Sequence, residues 1–283
     1  MSRPRLLFIL LAMVPASYSL ANLQEQSYYP QNFLEAYQQD ELRDDKLKES
    51  LYDILSSYHI EKEGEQDKIQ RKCEETEVCF IQRSDLSYKE ARTYLFGELH
   101  LEKKNGKNIV RDVYCNHEYG KESGVGEYRI PNPQVMNCEH TWPQSKFNKS
   151  QNINTQKTDL HHLYPVYSPA NSTRSNHNFG MVNGRVVSSS CTDSSKGTIQ
   201  GTSIVGFQPP PEHRGNVARA LFYFSVRFKI DIPEYEEKFL RQWNTEDPVD
   251  EFERARNEAI FKIQKNRNPF IDDQSLVSKI KDF

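Results

Sequence analysis

The stretch NCEHTWPQSKF, Asn137 to Phe147, places an acid and a histidine side by side just ahead of a tryptophan and a proline. Two further pieces follow it: TDLHHLYP at 158–165 and SPANSTRSNHNFG at 168–180. The first two read as short extended segments ending in proline. In the third, a proline is followed by Asn, Ser and Thr, which is how helices commonly begin. Strand, strand and helix in this order would bring a proton acceptor, His140, close to two oxygen ligands, Glu139 and Asn171. Carboxylate and amide oxygens suit a hard divalent cation such as magnesium, and a neutral imidazole can deprotonate water. That combination fits phosphodiester hydrolysis, where a metal offsets charge on the phosphate and the leaving oxygen while a base produces the nucleophile.

Each of these residues has a plainer role to weigh against the chemical one. A histidine in isolation is more often a surface or core residue than a base, and Asn171 taken alone would more often cap a helix, a role compatible with metal ligation. Asp159, His161 and His162 resemble a metal cluster. Adjacent residues on a strand point in opposite directions, so at most one of the two histidines can face the site, and one is expected to be structural. Trp142 and Phe147 could stack on bases, but aromatics of this kind are more often packed in a core.

The rest of the chain limits the setting. Its 283 residues suffice for a substantial core, and one domain over 22–283 is expected. The start, MSRPRLLFILLAMVPASYSLANLQEQ, has Arg3 and Arg5, an apolar run from Leu6 to about Val14, and small residues ending in SLA. This is the layout of a secretory signal peptide over 1–21, cleaved near Ala21; the run is well short of the roughly 20 apolar residues of a membrane span. Export to a periplasm or the medium makes the five cysteines more likely bridged than free. Cys73 and Cys79 can close a small loop. Cys138 is expected either to bridge to Cys115 or Cys191, or to stay a buried free thiol. No CxxC pair suggests zinc, and no HExxH suggests a metalloprotease.

The net charge of −3 hides an uneven distribution. Residues 22–136 hold 16 Lys and Arg against 23 Asp and Glu, residues 137–230 hold 10 against 4, and residues 231–283 hold 9 against 13. The middle is therefore basic between acidic flanks and contains the motifs just quoted, which fits a local anion-binding face.

Periodicity predicts helices at both ends and strands between. NFLEAYQQDELRDDKLKESLYDILSSYH places Leu34, Leu42, Leu47, Leu51, Ile54 and Leu55 at helical spacings, as two helices. SDLSYKEARTYLFGELH begins with capping residues between Ser84 and Ser87, and NVARALFYFSVRFKI reads as a buried helix. GKNIVRDVYCNHEYG reads as a strand. In GMVNGRVVSSS, Asn183-Gly184 is a hairpin-turn signal. EDPVDEFERARNEAIFKIQKN predicts a helix with Asp247 as N-cap and Pro248 in the first turn.

NCEHTWPQSKF, TDLHHLYPV, NSTRSN and the later WNTEDPVDEFERARNEAIFKIQKNRNPFID together resemble the endonuclease I family of periplasmic and secreted nonspecific nucleases, in the ββα-metal (His-Me finger) superfamily. The likeness runs from about Tyr28 to Asp272. It implies an α+β fold of mixed helices and short strands around a ββα-metal core at about 135–180. It further implies His140 as general base, Glu139 and Asn171 as the protein's ligands to Mg2+, and Glu139 and His140 on opposite faces of one strand. Arg174 and Asn176 would be structural or lie beside phosphate, and NRNPF would pack. The superfamily often has an arginine that holds the cleaved phosphate, for which Arg174, Arg185 and Arg214 are candidates.

The expected function is an exported, metal-dependent, nonspecific endonuclease acting on DNA, with RNA as a further substrate. It would work as a monomer, without a stable protein partner and without a membrane once the signal is removed. The alternative is a non-catalytic secreted nucleic-acid-binding protein of the same fold. Such a protein would be expected to lose Glu139, His140 or Asn171, and all three are present.

Overall fold

The computed structural model describes residues 23–283, so the predicted signal peptide lies outside the described residues. Helices α1 (Gln31–Gln38) and α2 (Asp44–Ser56) come first, as the leucine spacing predicts, followed by β1 (Tyr58–Ile60), β2 (Lys68–Gln70) and β3 (Cys79–Phe80). Helix α3 (Tyr88–Tyr94) starts at Ser87, whose side chain accepts from the Glu90 N–H while Glu90 reaches back to the Ser87 N–H. This reciprocal cap satisfies two otherwise unpaired donors. Strands β4 (Glu102–Lys104), β5 (Lys107–Arg111) and β6 (Glu118–Tyr119) form a small antiparallel sheet.

Next come β7 (Met136–His140), α4 (Ile153–Thr158), β8 (Leu163–Tyr167) and α5 (Ser168–Arg174). Strands β7 and β8 pair antiparallel, and α5 follows β8 directly. This is the strand–strand–helix unit expected from the motifs. Strands β9 (Asn178–Phe179), β10 (Val182–Ser188), β11 (Cys191–Ile199) and β12 (Val205–Gln208) form a four-stranded sheet in the order β10-β11-β12-β9. Helices α6 (Arg214–Phe228), α7 (Glu234–Glu246), α8 (Glu251–Gln264), α9 (Pro269–Asp272) and α10 (Leu276–Lys279) complete the chain.

The core explains why β7 is covered on both sides. Helix α6 is apolar nearly all round, and Val217, Ala218, Leu221, Phe222 and Phe224 are all buried in the larger of two apolar clusters, as expected of a helix packed on every side. Val166 and Ala170 join that cluster, whereas Met136 and Cys138 of β7 join a second one with Leu95, Phe96 and Leu163. The Glu139–His140 pair thus sits at the junction of two cores.

Two local predictions need correction. Asn183-Gly184 lies inside β10, opposite Thr198 and Gly197, and the hairpin reverses at residues 189–190. A side chain on Gly184 would meet the Lys196 carbonyl oxygen at 2.1 Å, so this glycine serves close strand approach rather than a turn. Asp250, not Asp247, caps α8 by accepting from the Glu253 N–H. Asp247 ends α7 and accepts instead from the Gly215 N–H, a partner distant in sequence.

Cys73 bridges Cys79, as their spacing suggests, and Cys115 bridges Cys191. Cys138 is therefore not bridged: it is a buried free thiol. Its side chain points into the second apolar cluster and is hydrogen-bonded with Tyr88, and burial pushes its pKa up to about 12.

Candidate active site

Glu139 and His140 occupy adjacent positions of β7, opposite Tyr164 and Leu163 of β8. Their side chains meet separate sets of partners, as strand alternation requires. His140 Nε2 lies 3.1 Å from the Lys157 carbonyl oxygen. A carbonyl can only accept, so Nε2 carries the proton and Nδ1 keeps the lone pair. The Gln144 amide donates to Nδ1 at 3.4 Å, and Gln144 is solvent-exposed, so Nδ1 is covered by a side chain not fixed by packing. The rings of His162, Tyr88 and Phe147 surround the imidazole. Burial, reinforced by the neighbouring His162, lowers the His140 pKa to about 3, which keeps the ring neutral.

On the other face, Glu139 Oε1 accepts from the Tyr114 hydroxyl at 3.0 Å and lies 2.8 Å from Arg174 Nη1. Glu139 and Arg174 are each only 2% exposed. Burial raises the Glu139 pKa, and the Arg174 charge and the Tyr114 hydrogen bond oppose that rise. Arg174 also donates to the His140 carbonyl at 3.0 Å and the Thr141 carbonyl at 2.5 Å. One guanidinium thus ties α5 to both the carboxylate and the backbone of β7.

These residues fit a hard cation. Both close contacts of Glu139 fall on Oε1, leaving Oε2 without a hydrogen bond among the described residues. Asn171 stands one helical turn before Arg174 on the same face of α5, half-buried, and its side-chain amide makes no hydrogen bond among the described residues. It is not the helix cap: Tyr167 precedes the first helical residue, and Asn171 lies within the helix. A carboxylate oxygen and an amide oxygen, both without protein partners, are the donor types magnesium takes.

The remaining sequence-predicted residues divide clearly. Arg174 belongs to the cluster, but its guanidinium is buried and engaged by protein groups, an internal clamp rather than a surface phosphate contact. Arg185 is exposed on β10, opposite Lys196, and makes no contact with the cluster among the described residues. Arg214 lies over Trp243 at 5.7 Å and donates to the Pro209 carbonyl, so it too stands outside the cluster. Asn176 is exposed and donates weakly to Ser145. Trp142 and Phe147 both stack on Phe224, as packing residues do.

His161 and His162 are not on a strand. They lie in a 3-10 turn capped by Asp159, and both are fully buried. His162 Nε2–H donates to the Gln156 carbonyl at 2.8 Å, and His161 Nε2–H donates to the Asn266 carbonyl at 3.2 Å. The NRNPF segment is buried and packs, with Asn268 capping α9.

Tyr114, Gln144 and the Lys157 carbonyl were missed by sequence reasoning. Gln144 stands in the opening motif, where its spacing of four from His140 was the available signal. Nothing local marks Tyr114, 25 residues from Glu139, or a backbone carbonyl 17 residues from His140. Asp112, Cys115 and His117 also lie close enough to suggest a metal site. Cys115 is in a disulfide, and Asp112 accepts the N–H groups of Tyr114, Cys115 and His117, so this group builds a turn.

The fold and site define an α+β protein whose strand–strand–helix unit presents a carboxylate, a neutral imidazole and an amide suited to hydrolytic chemistry. The sequence matches the model of the family Endonuclease I over residues 68–275, and the chain belongs to the endonuclease I family, a family of nucleases. It is 33% identical over 216 residues to an extracellular ribonuclease of Bacillus subtilis (strain 168), covering 69% of this chain and 68% of that protein. It is 30% identical over 187 residues to an extracellular deoxyribonuclease of Aeromonas hydrophila, covering 61% and 77%. It is 28% identical over 180 residues to Endonuclease-1 of Buchnera aphidicola subsp. Acyrthosiphon pisum (strain APS), covering 59% and 69%.

Proposed function

We propose that this nuclease is an exported, magnesium-dependent endonuclease that cuts DNA and RNA with little sequence preference. The observation that carries the catalytic assignment is the His140 tautomer: Nε2–H is held by the Lys157 carbonyl, and Nδ1 is left with its lone pair beneath Gln144. In this reading Nδ1 takes the proton of the attacking water. Glu139 Oε2 and the Asn171 amide oxygen would hold the ion. When bound, magnesium supplies charge stabilisation for the scissile phosphate and the leaving oxygen. Arg174 and Tyr114 keep Glu139 oriented and oppose the upward pull of burial on its pKa.

The basic middle segment supports a polyanionic substrate held through its phosphates, a mode that weakens in salt and reads little sequence. Relatives named as a ribonuclease and a deoxyribonuclease support action on both nucleic acids. Their extracellular naming, the N-terminal signal pattern and the lack of a membrane-spanning helix among the described residues support export.

The test is incubation of purified mature protein with supercoiled plasmid, linear DNA and RNA. Magnesium should give digestion of all three to short fragments, EDTA should abolish it, and added magnesium should restore it. Full activity after exhaustive chelation would remove Glu139 and Asn171 from the role of metal ligands.

A further inference from the structure

Beside the site, below the turn that follows His140, lies a cavity of about 320 Å³. That is at the lower end of the roughly 300–1,000 Å³ range of small-molecule sites. Thr141 and Arg174 form part of its wall, so it adjoins the strand that carries Glu139 and His140. Trp142 and Tyr235 contribute aromatic surface, and Leu221 and Ile230 contribute aliphatic surface.

Charge at the cavity is mixed but organised. Lys146 is half-buried and donates to Asn178 Oδ1, and among the described residues no carboxylate lies within ion-pair distance of it. His177 lines the same cavity, and burial together with the positive charges of Lys196, Arg174 and Lys146 lowers its pKa, so its ring is neutral. Two carboxylates also line it. Glu236 is buried and already accepts from the Phe179 N–H and the Asn178 amide, so it is part of the wall, and Asp231 is exposed at the far side. An apolar, partly aromatic recess with an ammonium and a neutral imidazole on its wall, next to a phosphodiester-cutting site, matches one nucleotide: a flat base inside, and an anionic phosphate that takes the Lys146 charge and a hydrogen bond from the His177 ring N–H.

We propose that this cavity is a nucleotide subsite that takes one unstacked base of the substrate strand, with that nucleotide's phosphate on Lys146 and His177. The inference rests on the nuclease site described above. A base can enter only after leaving its stack and its pair, which costs least in single strands. The enzyme is therefore expected to favour unpaired DNA and RNA over duplex.

The experiment compares a single-stranded oligonucleotide with a polymer of the same length built from tetrahydrofuran sugar-phosphates that lack bases. Wild-type enzyme should cut the base-free polymer with a KM about tenfold higher, the effect expected of one lost stacking contact. Ile230→Trp, which fills the recess, should raise the oligonucleotide KM by about the same factor and leave the base-free polymer's KM unchanged. Adenosine 5′-monophosphate, titrated calorimetrically without metal, should bind wild-type protein and not Ile230→Trp, with circular dichroism and Tm showing that the variant is folded. Lys146→Met, a surface-reaching change less demanding on packing, should weaken the same nucleotide binding. Equal KM values for the two polymers, or unchanged nucleotide binding in folded Ile230→Trp, would overturn the subsite. Cutting of both polymers by His140→Ala at the wild-type rate would instead overturn the catalytic reading beneath it.

Discussion

His140 and Arg174 show how differently two residues of one motif set can act. Replacing His140 with Ala removes the nitrogen assigned as base, and the neighbouring His162 is fully buried and cannot take its place. The expected loss in kcat is about a hundredfold or more, measured on plasmid with circular dichroism unchanged. Near-normal cutting by folded protein would take His140 out of the mechanism. Arg174→Ala should act first on stability. It would leave a 2%-exposed Glu139 without its cation, and loss of one member of a buried pair costs on the order of 3–5 kcal/mol. Urea unfolding of the two proteins reads this directly. A variant of unchanged stability with a raised KM would restore Arg174 as a phosphate contact. Arg174→Lys keeps the charge but not the fork that reaches two carbonyls and a carboxylate, so it should recover only part of the loss.

At the level of elements, the Cys115–Cys191 bridge ties the turn after β5 to the start of β11. Tyr114, next to Cys115, donates to Glu139, and its own carbonyl accepts from the Ser194 hydroxyl. The bridge therefore bears on the Glu139 carboxylate through Tyr114, not through Cys138. Replacing Cys115 and Cys191 with Ser should lower stability by roughly 4 kcal/mol, as loop-closure entropy for a separation of 76 residues suggests. Activity should fall with it. Cys138 should be recovered as an unmodified thiol by non-reducing peptide mapping of active protein, and a mixed disulfide at Cys138 would contradict the pairing. Tyr114→Phe separates the two effects: it keeps the bridge and should reduce activity alone.

Across the whole molecule, buried histidines dominate the acid response. Burial lowers His140 and His213 to about 3 and His161 and His162 to about 4, and it holds His100 well below its ordinary value. Unfolded histidines protonate near 6.5 while the folded ones stay neutral. The stability these groups contribute is thus complete above about pH 6.5 and is lost as pH falls toward 3 to 4. The slope is up to about 1.4 kcal/mol per pH unit for each imidazole. Glu139, Glu236 and Glu253, raised by burial, work in the opposite sense because the folded state takes up their protons first. His177 is lowered as well and Asp247 raised as well, so six imidazoles against four carboxylates leave a net loss on acidification. Tm should drop between pH 7 and pH 5, and a flat or rising Tm over that range would reject this account.

Periodicity and turn chemistry made α1, α2, α3 and α6 legible, because their apolar spacing and caps lie within a few residues of each other. The order of motifs from Asn137 to Asn176 likewise made the strand–strand–helix unit legible and singled out Glu139, His140 and Asn171 as candidates. Asn183-Gly184 and Asp247 misled because their partners, Gly197 and Gly215, are far along the chain and override local preference. The same reason hides the finer chemistry. Which His140 nitrogen is basic depends on a carbonyl 17 residues away, whether Glu139 is clamped depends on Tyr114 and Arg174, and which cysteines pair depends on a contact across 76 residues. Local pattern determines which side chains a short segment can offer. Only the packing of distant segments decides which of their atoms are buried, paired or left with a lone pair for chemistry.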